Sequence, residues 1–230
     1  MDYENLLELV KTRRSVRSFK TDPVPDEYVD KIIEVARWAP SGANSQPWEF
    51  IVLKDKEIKD RIVAIVKEHG ECNRKVELTR EERLRFPGAS GPLREPGYKD
   101  APVFIILCGD PRTIEAYPLL TTFIRGDSHF ASGLASAFLY MSLAVTTLGL
   151  GSQWVSATGH PSVKCLVGEL LGIPQKLEIY DMMALGYPAH KPTKERPVRE
   201  RAEMVHYGLY DSTKFRSDEE IRNFIAGLRK

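Results

Sequence analysis

The chain has 230 residues, 42% of them apolar and 28% charged, enough for one sizeable core with room for one excursion. Thirty-three basic residues stand against 32 acidic ones, a net charge of +1, which argues against a general nucleic-acid binder with its basic face but leaves room for a local cationic pocket. Cys72, Cys108 and Cys165 are far apart and form no CxxC pair, which implies neither a zinc site nor a disulfide framework.

The N-terminus is acidic and then amphipathic, with no apolar signal segment, and a cytoplasmic address is the expectation. Leu6, Leu7, Leu9 and Val10 give a short helix that ends at the basic run Arg13-Arg14-Ser15-Val16-Arg17. Asp26 opens a second helix with Val29, Ile32, Ile33 and Ala36 on one face, stopped by Pro40 and Gly42. Glu49–Leu53 is predicted as a strand. Residues 55–69 follow as a helix capped by Asp55, with Ile58, Ile62, Ile65 and Val66 on its apolar side.

From Gly70 to Asp100 the rhythm breaks. The stretch is charged and punctuated by Pro87, Gly88, Gly91, Pro92, Pro96 and Gly97. A loop this long inside a domain is a lid, a binding loop or a solvated insertion. Its Arg80, Arg83, Arg85, Arg94 and Lys99 offer charges for a carboxylate, and Phe86 and Tyr98 offer rings to cap a flat substrate.

Val103–Cys108 is a nearly unbroken apolar run, expected as a central strand buried on both faces. Cys108 and Cys165 are expected as small core residues rather than nucleophiles. A long helix follows, capped at Asp127 or Ser128 and ended by Gly149; no charge occurs from Ser128 to Val163. Ala131–Leu150 has a membrane reading, but its serines, threonines, alanines and Gly133 suit close packing of a buried helix. Ser152–Ser156 is a short strand, 161–171 a helix closed by Gly172, and Leu177–Leu185 a strand ending at Gly186-Tyr187-Pro188. Beyond Pro188 the chain turns polar and basic, then ends in a helix with a Ser217/Glu220 capping box. An apolar helix on such a tail needs a surface elsewhere, and a second subunit is one solution.

Two segments carry chemistry. Guanidinium groups such as Arg13, Arg14 and Arg17 bind phosphate bidentately, and Ser15 adds a neutral hydrogen bond. In Pro40-Ser41-Gly42-Ala43-Asn44-Ser45-Gln46-Pro47-Trp48 the prolines fix a loop, Gly42 lets the backbone approach a planar ring, and Asn44 and Gln46 suit donor/acceptor edges. A ligand with a phosphate at one end and a flat polar heterocycle at the other, such as flavin mononucleotide (FMN), needs both. Taken singly, the first is equally a solvated face and the second an ordinary helix-to-strand turn.

Together, RRSVRSF (13–19), APSGANSQPWEFIVL (39–53), the 127–151 helix ending in Leu148-Gly149-Leu150-Gly151, and ALGYPAHKPTKERP (184–197) resemble the nitroreductase family of FMN-dependent oxidoreductases, in that family's order and spacing. The resemblance covers nearly the whole chain apart from 70–100. It implies an α+β fold with three α/β/α layers, a central mixed, mainly antiparallel sheet, and an intertwined homodimer. It implies a single FMN-binding domain over 1–230, with a lid-like insertion at 70–100 and a dimer-wrapping extension at 188–230. Phosphate binding would fall to Arg13, Arg14, Ser15, Arg17, Lys194 and Arg196. The loop residues Pro40, Ser41, Gly42, Asn44 and Gln46 would reach across to the other subunit's flavin ring. Main-chain contacts near N5 would come from Gln153, Trp154, Val155 and Ser156, where family members often carry Pro or Gly.

The activity implied is hydride transfer from NADH or NADPH through flavin N5 to a flat small-molecule acceptor, a nitroaromatic or quinone, in two half-reactions at one pocket. No side chain is assigned as catalytic and no metal is expected. Neither nucleic acid nor membrane is an expected partner. Arg17 is the expected cation near N1, and His129 and His160 read as structural. Two alternatives stay open: a reductive dehalogenase or flavin-fragmenting member of the same fold, and a non-enzymatic flavin-binding protein.

Overall fold

Strand β2 (Val103–Gly109) is buried at every position, and its side chains alternate between two cores. Val103, Ile105 and Leu107 face one, Phe104, Ile106 and Cys108 the other, as the two-residue period of a strand requires. The computed structural model describes residues 2–92, 94–190 and 196–228. β2 lies inside a four-stranded sheet with β1 (Trp48–Leu53), β3 (Gly151–Val155) and β4 (Glu178–Gly186), in the order β1-β2-β4-β3. All three strand pairings are antiparallel. Among the described residues the sheet is therefore antiparallel throughout rather than mixed, and the parallel bridge Ser15–Ser152 lies outside its strand pairings.

Helices α2 (Asp26–Arg37) and α4 (Leu119–Thr147) cover one face, through Val29, Ile32 and Ala36 and through Leu134, Ala137, Phe138, Met141 and Val145. Helices α3 (Lys56–Glu77) and α5 (Pro161–Leu171) cover the other, through Ile62, Val63, Val66, Val163 and Val167. These layers, with α1 (Tyr3–Thr12), belong to a unit formed by residues 1–69 and 95–192. This is the expected α+β, three-layer α/β/α arrangement.

Three boundaries depart from expectation. Helix α3 does not stop at His69 but runs through Gly70 to Glu77, where Glu71 and Arg74 pair one turn apart and support the extra turns. Helix α4 starts at Leu119 behind Pro118, not at Asp127 or Ser128; Thr122 and Ser128 hydroxyls bond back to carbonyls of the preceding turns and leave the helix unbroken. Cys165 lies on α5 but is exposed, whereas Cys108 is buried as expected. Helix α4 has the length and apolarity to cross a membrane, yet half of its most apolar stretch is buried in the unit.

Residues 70–94 and 193–230 form a second compact unit. The 70–94 stretch is not structureless: besides the end of α3 it holds a 3-10 turn, Glu82–Leu84. It is tied to the last helix, α7 (Asp218–Gly227), by Arg83 to Glu219 at 3.1 Å and Arg222 to Glu81 at 3.5 Å. The short α6 (Arg201–Met204) precedes α7, which carries the expected Ser217/Glu220 capping box. Arg80 pairs with Glu77, and Arg85 donates to the Arg80 carbonyl, so several of the insertion's charges serve its own folding.

Candidate functional site

The basic run leaves α1 in an extended conformation and is stitched to the sheet at two places. The Val16 N–H donates to the Ser152 carbonyl at 2.9 Å. Further on, Lys20 donates to Tyr187 and Ala189 to Ser18, each at 2.9 Å. Val16 and Phe19 are buried anchors between exposed neighbours, which sets Arg13, Arg14, Ser15 and Arg17 beside the first residues of edge strand β3. Two glycines make this approach possible. A Cβ on Gly151 would lie 2.4 Å from Val16 Cγ2, and a Cβ on Gly97 would lie 1.9 Å from the Arg17 carbonyl oxygen.

Because Ser152 turns its carbonyl outward to Val16, Trp154, two residues on, turns its own N–H and C=O to the same open edge. The intervening Gln153 buries its Oε1 without a hydrogen-bond partner among the described residues. Thus the open edge of β3 presents main-chain groups beside the point where the basic run is stitched on.

The Pro40–Trp48 loop is strained. Ala43, Asn44 and Gln46 all have positive φ, at 49°, 52° and 44°, a region that costs a non-glycine residue about 1 kcal/mol or more. Local bonds hold it: Asn44 N–H to the Ser41 carbonyl at 3.1 Å, and Gln46 N–H to Ser41 Oγ at 3.0 Å. Packing fixes it on α4, where a Cβ on Gly133 would lie 3.2 Å from Ser41 Cβ. Tyr117 and His129 back Gly42 closely enough that a Cβ there would sit 2.9 Å from the tyrosine ring. Pro40, Asn44 and Gln46 are exposed.

The two segments lie at opposite ends of the sheet. The loop enters β1 at Trp48, opposite Gly109, whereas the basic run joins Ser152, near the Gly151–Gly186 pair. Seven-residue β2 spans that distance, about 20 Å, so one chain does not bring them into a single pocket. The structure joins the basic run to the start of β3, at Ser152 beside Gln153, whereas Val155 ends that strand and Ser156 lies just past it. Lys194 lies outside the described residues, and Arg196 is exposed in the second unit.

The residue pattern alone did not reveal a group around Trp154. Its indole stacks on Phe138 with ring centres 3.9 Å apart and donates to the Asp181 carboxylate. Burial pushes the Asp181 carboxyl up to about 6, against the hydrogen bonds from Trp154 and the Gly159 backbone. A lone aspartate in the apolar run of β4 was the available signal. Burial also pushes the Cys108 thiol up to about 12, which leaves it no thiolate for chemistry at neutral pH. Tyr98, read as a cap for a flat substrate, is instead a core residue, 4% exposed and edge-on to Phe104; Phe86 is exposed. His129 lies inside α4 rather than at its start, and the His160 ring lies tilted against that of His69, with centres 4.0 Å apart.

A sequence profile of the nitroreductase family matches residues 10–187. The chain belongs to the nitroreductase family. Among family relatives, a protein of Archaeoglobus fulgidus assigned as an NADH dehydrogenase/NAD(P)H nitroreductase is 30% identical over 80% of this chain and 86% of its own length. Iodotyrosine deiodinase 1 of Rattus norvegicus is 42% identical over 73 residues, 32% of this chain and 26% of its own. A crystal structure of iodotyrosine deiodinase with FMN and 3-iodo-L-tyrosine superposes with a TM-score of 0.69 and 25% identity, over 89% of this chain and all of that one. The family match spans both the basic run and the strained loop, and ends at Tyr187, where the Lys20 N–H is received.

Proposed function

We propose that this protein is an FMN-dependent NAD(P)H oxidoreductase whose acceptors are flat molecules such as nitroaromatics or quinones. The observation that carries this reading is the stitching of the arginine-rich run to the open edge of β3 at Ser152 in a nitroreductase-family chain. Those groups fit FMN: guanidinium donors and Ser15 for the phosphate, main-chain groups of Trp154 for a polar heterocycle edge. When bound, FMN supplies hydride transfer at N5, taking from NADH or NADPH and giving to the acceptor in two half-reactions at one pocket. The chain's own work is orientation and electrostatics. Arg13, Arg14 and Arg17 neutralise the phosphate, Arg17 is the cation assigned to favour negative charge near N1, and the Trp154 backbone fixes the ring edge.

The working form is a homodimer in this reading. Leu119, Leu120, Phe123 and Ile124 of α4 are each about 70% exposed or more, an apolar row of the kind that marks an interface. The separation of loop and basic run across the sheet favours the same conclusion: Pro40, Ser41, Gly42, Asn44 and Gln46 would reach the flavin of the partner. A second reading, reductive dehalogenation of a halogenated aromatic, is favoured by the stretch 42% identical to iodotyrosine deiodinase.

Purified protein should be yellow, dimeric at micromolar concentration, and bleached by NADH or NADPH without oxygen. An anaerobic screen of the reduced protein against nitroaromatics, quinones and halophenols then assigns the acceptor. A colourless protein that FMN does not reconstitute would overturn the proposal.

A further inference from the structure

One cavity of the first unit, of about 670 Å³, lies apart from the basic run: none of Arg13, Arg14 or Arg17 lines it. Its walls are the exposed flank of α3, the turn Thr21–Val24 and the re-entrant stretch 95–103. Five lysines, Lys54, Lys56, Lys59, Lys67 and Lys99, face three carboxylates, Asp60, Glu95 and Asp100. The carboxylates are largely spoken for. Lys56 pairs with Asp60, Lys67 with Glu95, and Lys54 with Asp26 outside the cavity.

Lys59 forms the floor. It is 8% exposed, the most deeply buried lysine side chain of the unit's core. Its Nζ donates to the Ala101 and Pro102 carbonyls at 2.9 and 2.8 Å and lies 5.6 Å from the Phe104 ring centre. An ammonium has three donors; two are used here, and Lys59 forms no ion pair with a carboxylate among the described residues. Burial holds this ammonium below the usual lysine range, with Asp60 and Asp55 only partly opposing the effect. A charge held at that cost is stabilised by any anion that enters. Lys99 at the rim forms no ion pair among the described residues.

We propose that this cavity is a second anion site, shaped for a phosphomonoester dianion between Lys59, Lys56 and Lys99. Lys59 and Lys99 are the two of the five lysines with no ion pair among the described residues, and Asp100 is the one lining carboxylate without one, so the cavity keeps a net positive charge that suits an anion. The remaining wall, Pro23, Val24, Val63, Ala64 and Pro102, is apolar and suits the organic part of the molecule. The site sits on the stem of the 70–94 excursion. Lys67 on the outgoing helix and Glu95 on the returning chain are paired across it, so an occupant touches both ends of that excursion.

The test is calorimetric titration of the full-length protein, loaded with FMN and then freed of all unbound FMN so that the basic run is filled and the cavity is not, with AMP and with inorganic phosphate at constant ionic strength. One saturable equivalent is expected, weakened at least tenfold by Lys99→Glu and further by adding Lys56→Glu, with FMN content unchanged. Tighter AMP than phosphate binding identifies the ligand class as an organic phosphomonoester; equal binding identifies phosphate itself. No saturable binding of either probe, or binding indifferent to Lys99→Glu, overturns the site. Lys59→Met should abolish binding if it folds; if it does not fold, the two surface variants decide the question.

Discussion

Trp154 donates its indole N–H to the buried carboxylate of Asp181, and the Gly159 backbone N–H reaches the same group. A Cβ on Gly159 would stand 2.5 Å from the Tyr180 carbonyl oxygen, so the backbone can come that close only as glycine. Burial wins over both hydrogen bonds and raises the Asp181 carboxyl from 3.8 to about 6. The folded state therefore prefers the protonated acid. Stability from this group is full below about pH 4, where folded and unfolded forms are both protonated, and is lost as pH rises through about 6. At about 1.4 kcal/mol per tenfold change in acidity, the loss is about 3 kcal/mol. Asp181→Asn, which still accepts from Trp154, should remove that pH dependence between pH 4 and 7 while keeping the Trp154 emission spectrum. Asp181→Leu should remove it and shift the emission. Denaturant midpoints across pH read the first effect and fluorescence the second; an unchanged pH dependence in the asparagine variant would refute the assignment.

The strained loop gives a prediction of opposite sign at adjacent residues. Ala43 has φ of 49°, so Ala43→Gly relieves about 1 kcal/mol of strain and gives back part of it as unfolded-chain entropy. A rise in stability of up to about 1 kcal/mol is expected. Gly42→Ala instead puts a Cβ 2.9 Å from the Tyr117 ring and 3.3 Å from His129 Nδ1. Those side chains can yield in part, so a loss of about 1–2 kcal/mol is expected. Thermal melts of the two variants should move in opposite directions.

The fold was legible where periodicity is strong. Val103–Cys108 announced a strand buried on both sides, and Val29, Ile32 and Ala36 announced the face of α2. The basic run and the Pro-Ser-Gly loop stood out only in combination, since each alone is equally a solvated face or an ordinary helix-to-strand turn. What escaped notice depended on tertiary packing. Gly70 looked like a helix stop, but αR backbone accepts glycine and the Glu71–Arg74 pair supports the helix beyond it. Leu119–Ile124 was not joined to α4 because Arg125 and Asp127 look like a boundary, although both project from a continuous helix. Tyr98 looked available because its neighbours Gly97 and Lys99 are polar or small, yet the ring turns inward onto Phe104. Lys59 carried no signal at all: only the carbonyls of Ala101 and Pro102, 42 and 43 residues away, explain its burial.

Phe123 is 78% exposed on α4 beside Leu119, Leu120 and Ile124. If this row meets a second copy, Phe123→Asp places a charge in an apolar interface, at a cost of several kcal/mol per copy. Since the residue is exposed in the single chain, folding should be unaffected. Sedimentation should show a monomer with native circular dichroism, and FMN should wash out on gel filtration because the partner's loop is lost. A variant that stays dimeric would move the interface elsewhere.

Gly97 and Arg17 separate position from charge within the phosphate cluster. Arg17→Ala removes a charge-assisted phosphate contact, each worth about 1.5–3 kcal/mol. FMN affinity should fall roughly tenfold to a hundredfold, with little change in melting temperature because the Arg17 side chain is exposed. Gly97→Ala leaves every charge in place but sets a Cβ 1.9 Å from the Arg17 carbonyl oxygen and 3.0 Å from its carbonyl carbon. Both atoms are backbone, and the neighbouring segment is fixed by the Val16 and Lys20 hydrogen bonds, so neither side can retreat cheaply. A loss of about 3 kcal/mol in stability is expected, together with the affinity loss. Excess inorganic phosphate should not restore either quantity in the glycine variant. Flavin titration followed by fluorescence, paired with a melt of each apoprotein, distinguishes the two; a Gly97→Ala protein with native stability would show that the 95–102 stretch does not hold the basic run in place.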